Sequence, residues 1–382
     1  MSVWDAVVGQ ERAVATLSQA VHRRLQPSGL AHAWLVTGPP GSGRSVAARA
    51  FAAALQCGDD GCGRCADCAE TLAGTHPDVT VLATDEMQVR KDTVVQLVRR
   101  ASVSPTRGRY VVVVVEDADR LRDVAANMLL KEIEEPPPHT VWVLCAPSPE
   151  DLLPTIRSRC RQVTLGVPRA DAVARVLVDR HGVSAGEAAW AAAASQGHIG
   201  VARRLAVDPD ARRRRREVLQ VPNRAVGVPG AVEAAQELRD IATEESTAAV
   251  EAAQEAENAS WLRTMGVQTP EELPRQVRAQ WRELQEQHKR QVRRSATDGL
   301  DRALLDLLSL YRDVLLVQAG APVPLVNADM RADVERLARR LAPADVLRVC
   351  DVITTTRRRL TQNAALPLAL EAMTVRLGDP AA

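Results

Sequence analysis

Lysine is nearly missing from this chain of 382 residues: of 49 basic side chains only Lys91, Lys131 and Lys289 are lysines. The rest are arginines, which reads as a bias of composition toward arginine. Aromatics are almost as scarce, at six Trp, two Tyr and one Phe, so the cores must be built from Ala, Val and Leu. Net charge is missing too: 49 basic against 48 acidic residues leave +1, which excludes a histone-like or polybasic binder held to nucleic acid by a global field. No apolar run approaches the ~18–20 residues of a membrane span, and MSVWDAVVGQERA has no charged-then-apolar leader pattern. These absences predict a soluble, cytoplasmic protein with no membrane partner, long enough for two or three domains.

What is present divides the chain. Up to about residue 165, short apolar runs alternate with helical stretches: 33–36, 78–82, 110–115, 141–145 and 161–165 read as strands. Several lack polar alternation, as strands covered on both faces of a parallel sheet do. The expected class is α/β over residues 1–166, followed by a small helical module over 167–209. An all-α domain over 210–382 completes the chain, with a charged helical insertion around 231–297. Pro270 and Pro274 mark a break inside that insertion. It reads as a solvated hairpin, and the run RRRRR (212–216) as a solvated face, with a DNA contact as the sharper alternative for the run.

Four motifs carry chemistry. GPPGSGRS, Gly38 to Ser45 with Gly41, Gly43 and Arg44 between, follows a strand and opens a helix, the setting of a phosphate-cradling loop. Arg44 stands where that loop calls for lysine, and a planar guanidinium fits less well as a point charge between phosphates. Second, the run VVVVVEDAD ends a strand in Glu116 and Asp117, where Mg²⁺ and an attacking water would be managed. The usual order is Asp then Glu. Reversal shifts each carboxylate by about one methylene, and a misplacement of about 1 Å can cost ~100-fold in rate. Acids that merely finish the strand are the open alternative.

Third, Cys57, Cys62, Cys65 and Cys68 lie within twelve residues (57–68), a spacing that suits one structural, tetrahedral zinc ion. An iron–sulfur centre shares the opening Cys-x4-Cys-x2-Cys, but its fourth cysteine normally lies far away. Cys145, Cys160 and Cys350 read as inert thiols. Fourth, Ser158-Arg159-Cys160 follows a short helical turn and leads into the last strand; an arginine there is ordinarily a surface residue.

Taken together, VGQ (8–10), the phosphate loop, the four-cysteine insert, HPD (76–78), AANMLLKEIEEPP (125–137) and LLPTIRSRC resemble the AAA+ clamp-loader family of the bacterial replicase. The resemblance is dense over 1–165 and weaker to NAALPLALEAMTVRL (363–377). It implies a RecA-like parallel sheet, the zinc module, a helical lid and a C-terminal collar through which subunits assemble. Motor members keep intact ATPase motifs. Here Arg44, the order Glu116-Asp117, and Gly200, where a phosphate-sensing arginine would stand, all depart from them. Arg159 is kept, and in this family it reaches into a neighbour's ATP site. The resemblance therefore implies a non-motor subunit of the DNA polymerase III clamp loader without intrinsic ATPase activity, within a nucleotidyltransferase holoenzyme. Its partners would be the gamma/tau motor subunits, a delta subunit, the sliding clamp and primer–template DNA. ATP or ADP in its own loop stays open, as does the alternative of an active, gamma/tau-like motor.

Overall fold

A computed structural model describes residues 2–24, 26, 30–83, 89, 91–121, 123–137, 139–264, 266–274, 277–360 and 365–379. Met265, Arg275 and Gln276 of the charged insertion, and Asn363 and Ala364 of the C-terminal match, lie outside them. The chain forms two compact units, Met1–Val207 and Asp208–Ala382.

The first unit is built on a five-stranded parallel sheet in the order β2-β3-β4-β1-β5, from β1 (Ala33–Thr37), β2 (Val79–Leu82), β3 (Val111–Val115), β4 (Thr140–Ala146) and β5 (Arg161–Thr164). The three inner strands are buried along their whole length, which is why they read as unbroken apolar runs. Edge strand β5 exposes Arg161, Gln162 and Thr164. Around the sheet lie α1 (Glu11–Arg23), α2 (Arg44–Gln56), α3 (Ala66–Ala73), α4 (Lys91–Ala101), α5 (Asp123–Glu134) and the single turn α6 (Pro154–Arg157). Helices α7 (Ala170–His181), α8 (Ala185–Ala194) and α9 (Ile199–Val207), the module expected at 167–209, belong to this unit. The α/β class with a helical C-terminal region, expected of the AAA+ resemblance, is what the chain adopts.

Helix α2 is the axis of one face. Ala47, Ala48, Ala50, Phe51, Ala52, Ala53, Ala54 and Leu55 are all buried, so nearly its whole circumference is apolar. Alanine makes that close approach feasible, and the single Phe51 fills the space beside Trp34 at 4.9 Å, edge to face. Two of the chain's nine aromatics thus meet, fully buried, in this core.

The second unit contains α10 (Pro209–Arg224), α11 (Gly227–Thr264), α12 (Arg278–Gln318), α13 (Arg331–Arg340), α14 (Pro343–Leu360) and α15 (Leu366–Gly378). Leu300, Leu304, Leu307, Leu310, Tyr311 and Val314 of α12 supply the spine of its core. The end of the charged insertion and the leucine-rich segment after it form one 41-residue helix, Arg278–Gln318, running through Gly299. A Cβ on Gly299 would lie 2.9 Å from the carbonyl oxygen of Ala242, so the glycine serves close helix packing rather than a break. Helices α11 and α12 run antiparallel, with Gln254 donating to the His288 carbonyl (3.0 Å), Gln285 to Asn258 (2.9 Å) and Trp261 against Trp281 (5.2 Å).

The arginine run has its own counter-charges. Arg213 pairs with Asp210 and Glu217, Arg214 with Asp208, and buried Arg215 donates to Asp306 (2.9 Å) and Asn327 (2.6 Å). Asn327 in turn donates to Ser309 and Asp313, closing a polar network inside the helical core. Arg213 stays at the surface in ion pairs, whereas Arg215 departs from a solvated face because Asp306 and Asn327 take up its donors inside the core.

Candidate functional site

Helix α2 carries a chemical motif at each end. At its N-terminus, Gly43 is the residue before the helix and adopts φ +93°, with Gly41 at φ +82°; both are left-handed, so glycine is needed there. The loop leaves β1 and is tied to β4 by Gly38 N–H donating to the Pro147 carbonyl (3.2 Å). Ser42 Oγ and Arg44 Nη1 are buried without a hydrogen-bond partner. Two orphaned donors at a helix N-terminus are a donor set suited to an oxyanion. The loop is also covered: a Cβ on Gly41 would stand 2.2 Å from Cγ of His198, which opens α9. Gly200 is exposed and brings no side chain to the loop.

Ser45 lies in the first turn of α2, and Glu116 and Asp117 follow β3. Glu116 is already partnered by a cation: Arg49 Nε donates to its Oε1 at 2.7 Å, and the side chain is only 13% exposed. Arg49 is the residue that sequence reasoning missed; it lies within the α2 helical run, one turn past the loop, and only the sheet order brings it to Glu116. Asp117 lies 4.0 Å from Arg120. Burial raises the carboxyl of Asp119, helped by Asp117 and opposed by Arg120 and Arg44.

At the other end of α2, Cys57 caps the helix, and Cys62, Cys65 and Cys68 close round it, with all four sulfurs within 4.8 Å of one another. Cys57 Sγ stands 3.7 Å from Cys62 Sγ and 3.7 Å from Cys65 Sγ. A tetrahedron with metal–sulfur bonds of about 2.3 Å has edges of about 3.8 Å, so the spacing fits a four-thiolate metal ion. Backbone amides point at the sulfurs: Asp59 and Cys62 at Cys57 (3.3 and 3.4 Å), and Cys68 at Cys65 (3.4 Å). Amides of Arg64 and Cys65 bring the Cys62 thiol down to about 6, whereas burial pushes Cys65 and Cys68 up. Four thiolates this close repel each other unless a cation sits among them, and the donor set is closed, with no place for a substrate.

The cysteine loop is anchored by residues the motif did not reveal. Asp60 pairs with His22 and Arg24, Arg24 also donates to the Cys57 carbonyl (3.3 Å), and Val3 N–H donates to the Gly61 carbonyl (3.0 Å). Buried Asp78 of HPD accepts the amides of Thr106 (2.6 Å), Arg107 (2.8 Å) and Gly108 (2.6 Å). Burial works to raise its carboxyl, but those amides outweigh it and hold the group below the ordinary carboxylate range.

Arg159 is at a third place, between α6 and β5. Its Nη2 lies 2.7 Å from Glu134 Oε1, and its Nη1 donates to the Thr155 carbonyl (3.0 Å) and Ser158 Oγ (3.3 Å). Cys160 turns the other way into the core, where burial lifts its thiol to about 12; Cys145 in β4 is lifted to about 12 by burial and by Glu116. Both thiols are held in the protonated form by that burial.

Comparison with known proteins places these features in one group. Residues 10–168 match the family described as "DNA polymerase III, delta subunit", and residues 296–373 the one described as "DNA polymerase III, delta subunit, C terminal". Most of the charged insertion falls between the two matches. DNA polymerase III subunit delta' of Pseudomonas aeruginosa is 41% identical over 159 residues, covering 39% of this chain and 48% of the relative. The Escherichia coli subunit delta' is 39% identical over 143 residues, covering 36% and 43%. Subunit gamma/tau of Mycobacterium tuberculosis is 35% identical over 158 residues, covering 40% and 27%. The matches thus span about half or less of those relatives' length. A solved gamma subunit-related protein from Thermotoga maritima aligns over 96% of this chain and 99% of its own, at 15% identity and a TM-score of 0.41. Among the described residues no helix is long and apolar enough to cross a membrane.

Proposed function

We propose that this chain, which belongs to the delta-prime family of DNA polymerase III subunits, is the non-motor subunit of a clamp loader. It works in the cytoplasm, beside gamma/tau motor subunits and a delta subunit, to place the sliding clamp on primed DNA. Cys57, Cys62, Cys65 and Cys68 hold a structural zinc ion. Arg159 acts in trans, as an arginine finger on the ATP of a neighbouring motor subunit.

The observation that carries this reading is a contrast of exposure. Arg159 stands at the surface with 41% of its side chain exposed, in a half-exposed pair with Glu134, whereas Glu116, the acid that would manage metal and water in its own site, is 13% exposed and paired with Arg49. Arg44 and Gly200 replace two further motor residues. A finger that completes transferring phosphoryl charge is worth ~10³–10⁵ in rate at the site it serves. Arg159→Ala should leave folding and nucleotide-free assembly intact. It should sharply lower DNA- and clamp-stimulated ATP hydrolysis at one site of a reconstituted complex, so total hydrolysis falls in part. Arg159→Lys should behave nearly as badly, since one ammonium does not reproduce the planar fork. Wild-type hydrolysis with Arg159→Ala would overturn the reading.

One observation favours the second reading, a motor that hydrolyses ATP itself: the unpaired Ser42 Oγ and Arg44 Nη1 are donors suited to phosphate oxygens. Steady-state ATP turnover by the isolated chain separates the two, with background rate expected for the non-motor subunit.

A further inference from the structure

Glu134 is the last residue of α5, a place where a carboxylate is disfavoured by the helix's own negative end and gains from a cation beside it. That cation is Arg159. Nη2 of Arg159 lies 2.7 Å from Glu134 Oε1, while Nη1 is held by the Thr155 carbonyl and Ser158 Oγ, both local to α6. Of these contacts only the one to Glu134 brings in a different element of the fold, and only it neutralises the guanidinium. The pair is half-exposed, at 41% for Arg159 and 46% for Glu134.

From this geometry we propose that Glu134 is a latch: it holds Arg159 in the free subunit and competes for the guanidinium with the nucleotide of the neighbouring subunit. The inference rests on Arg159 acting in trans as proposed above. A carboxylate and a phosphate present the same kind of oxygen acceptor to the guanidinium fork, so the edge given to Glu134 is unavailable to a phosphoryl group. The exposure decides how strong the latch is. A buried pair would lock the arginine in place; an exposed one shifts an equilibrium by about two- to five-fold. The several negative charges of a triphosphate displace it. The latch therefore reduces the population of engaged arginine and lowers apparent affinity only where a nucleotide is present to compete. Glu134 is a positioning residue: it touches neither substrate nor reacting atoms.

The test measures the affinity of the full chain for a motor subunit, with and without adenylyl imidodiphosphate. Wild type, Glu134→Gln, Arg159→Ala and the double variant are compared. Glu134→Gln should tighten binding about two- to five-fold with the nucleotide and leave it unchanged without. In the Arg159→Ala background the same substitution should have no effect. A gain without nucleotide, or one that survives the loss of Arg159, would mean that Glu134 acts on the interface itself, and the latch is wrong. So is it if Glu134→Gln leaves nucleotide-dependent binding unchanged or weaker while Arg159→Ala weakens it; the finger then stands alone. If Arg159→Ala leaves the nucleotide dependence untouched, the finger reading falls and the latch with it.

Discussion

The two ends of α2 began from comparable sequence motifs and have come to different chemical conditions. At the C-terminal end every ligand is present, the sulfurs stand at tetrahedral spacing, and the N-terminal segment, His22 and Arg24 brace the loop. At the N-terminal end the glycines keep their left-handed backbone, but the lysine is Arg44, Glu116 is bound by Arg49 and His198 covers Gly41. The helix between them is 13 residues, roughly 20 Å, and buried almost all round. Backbone shape outlasts side-chain chemistry in the loop because the same glycines are needed to start α2, whatever the loop binds. The cysteine site has no such division: its four sulfurs are one closed ligand set.

The largest effect that could break this comparison lies at the metal. Elemental analysis should find about one zinc per chain. Cys68→Ser should remove it and destabilise the first unit by several kcal/mol, out of the ~10–16 kcal/mol apparent binding energy of structural zinc. Thermal unfolding with and without a chelator checks this, and iron or an absent metal would remove the contrast between the two ends. Next is the ion pair at the phosphate end. Arg49→Met leaves a mostly buried Glu116 uncompensated and should cost about 1–3 kcal/mol in denaturant unfolding. Arg49→Met combined with Glu116→Gln should cost less than the single change, which would show that the acid now serves stability.

Asp78 provides a smaller and pH-dependent effect. Its folded-state pKa is depressed, so its contribution is full above the ordinary carboxylate value near about 4 and is lost as pH falls through the lower folded value. Asp78→Asn should therefore destabilise by about 1–2 kcal/mol at pH 7, and the gap from wild type should close in acid; a gap independent of pH would rule out the carboxylate's charge as its source. The smallest expected effect is none: Arg44→Lys alone should not raise ATP turnover above background, because Glu116 stays paired and Gly200 still brings no cation. Turnover restored by that one change would make Arg44 the whole defect.

The sheet was legible because its strands are so uniform. Val111–Val115 and the apolar stretch of β4 read as strands covered on both faces because β-branched residues fill short unbroken runs, and the cysteine spacing announced its own geometry. Pairs made across the fold were not. Nothing in the sequence links Arg49 to Glu116, 67 positions away, or Glu134 to Arg159, because each pair depends on which strands are neighbours and which helices cover them. The arginine run misleads for the same reason: Arg215 looks like a surface charge until Asp306, 91 residues on, is folded against it. Gly299 likewise gives no sign in the sequence of the Ala242 carbonyl it packs against.

Gln10, half-noticed as the third letter of VGQ, has a mechanical consequence. Its buried amide donates to the carbonyls of Ser42 (3.3 Å) and Gly166 (2.8 Å) and accepts the amide of Gly166 (3.0 Å). One side chain therefore rivets the phosphate loop to the strap that leaves β5 for α7. Glutamate would lose the donors and methionine both functions, so an amide is required to hold both sides of the joint. A hydrogen bond tolerates only a few tenths of an ångström before it weakens. Displacing the strap from the loop would therefore strain the hydrogen bonds that Gln10 makes to both.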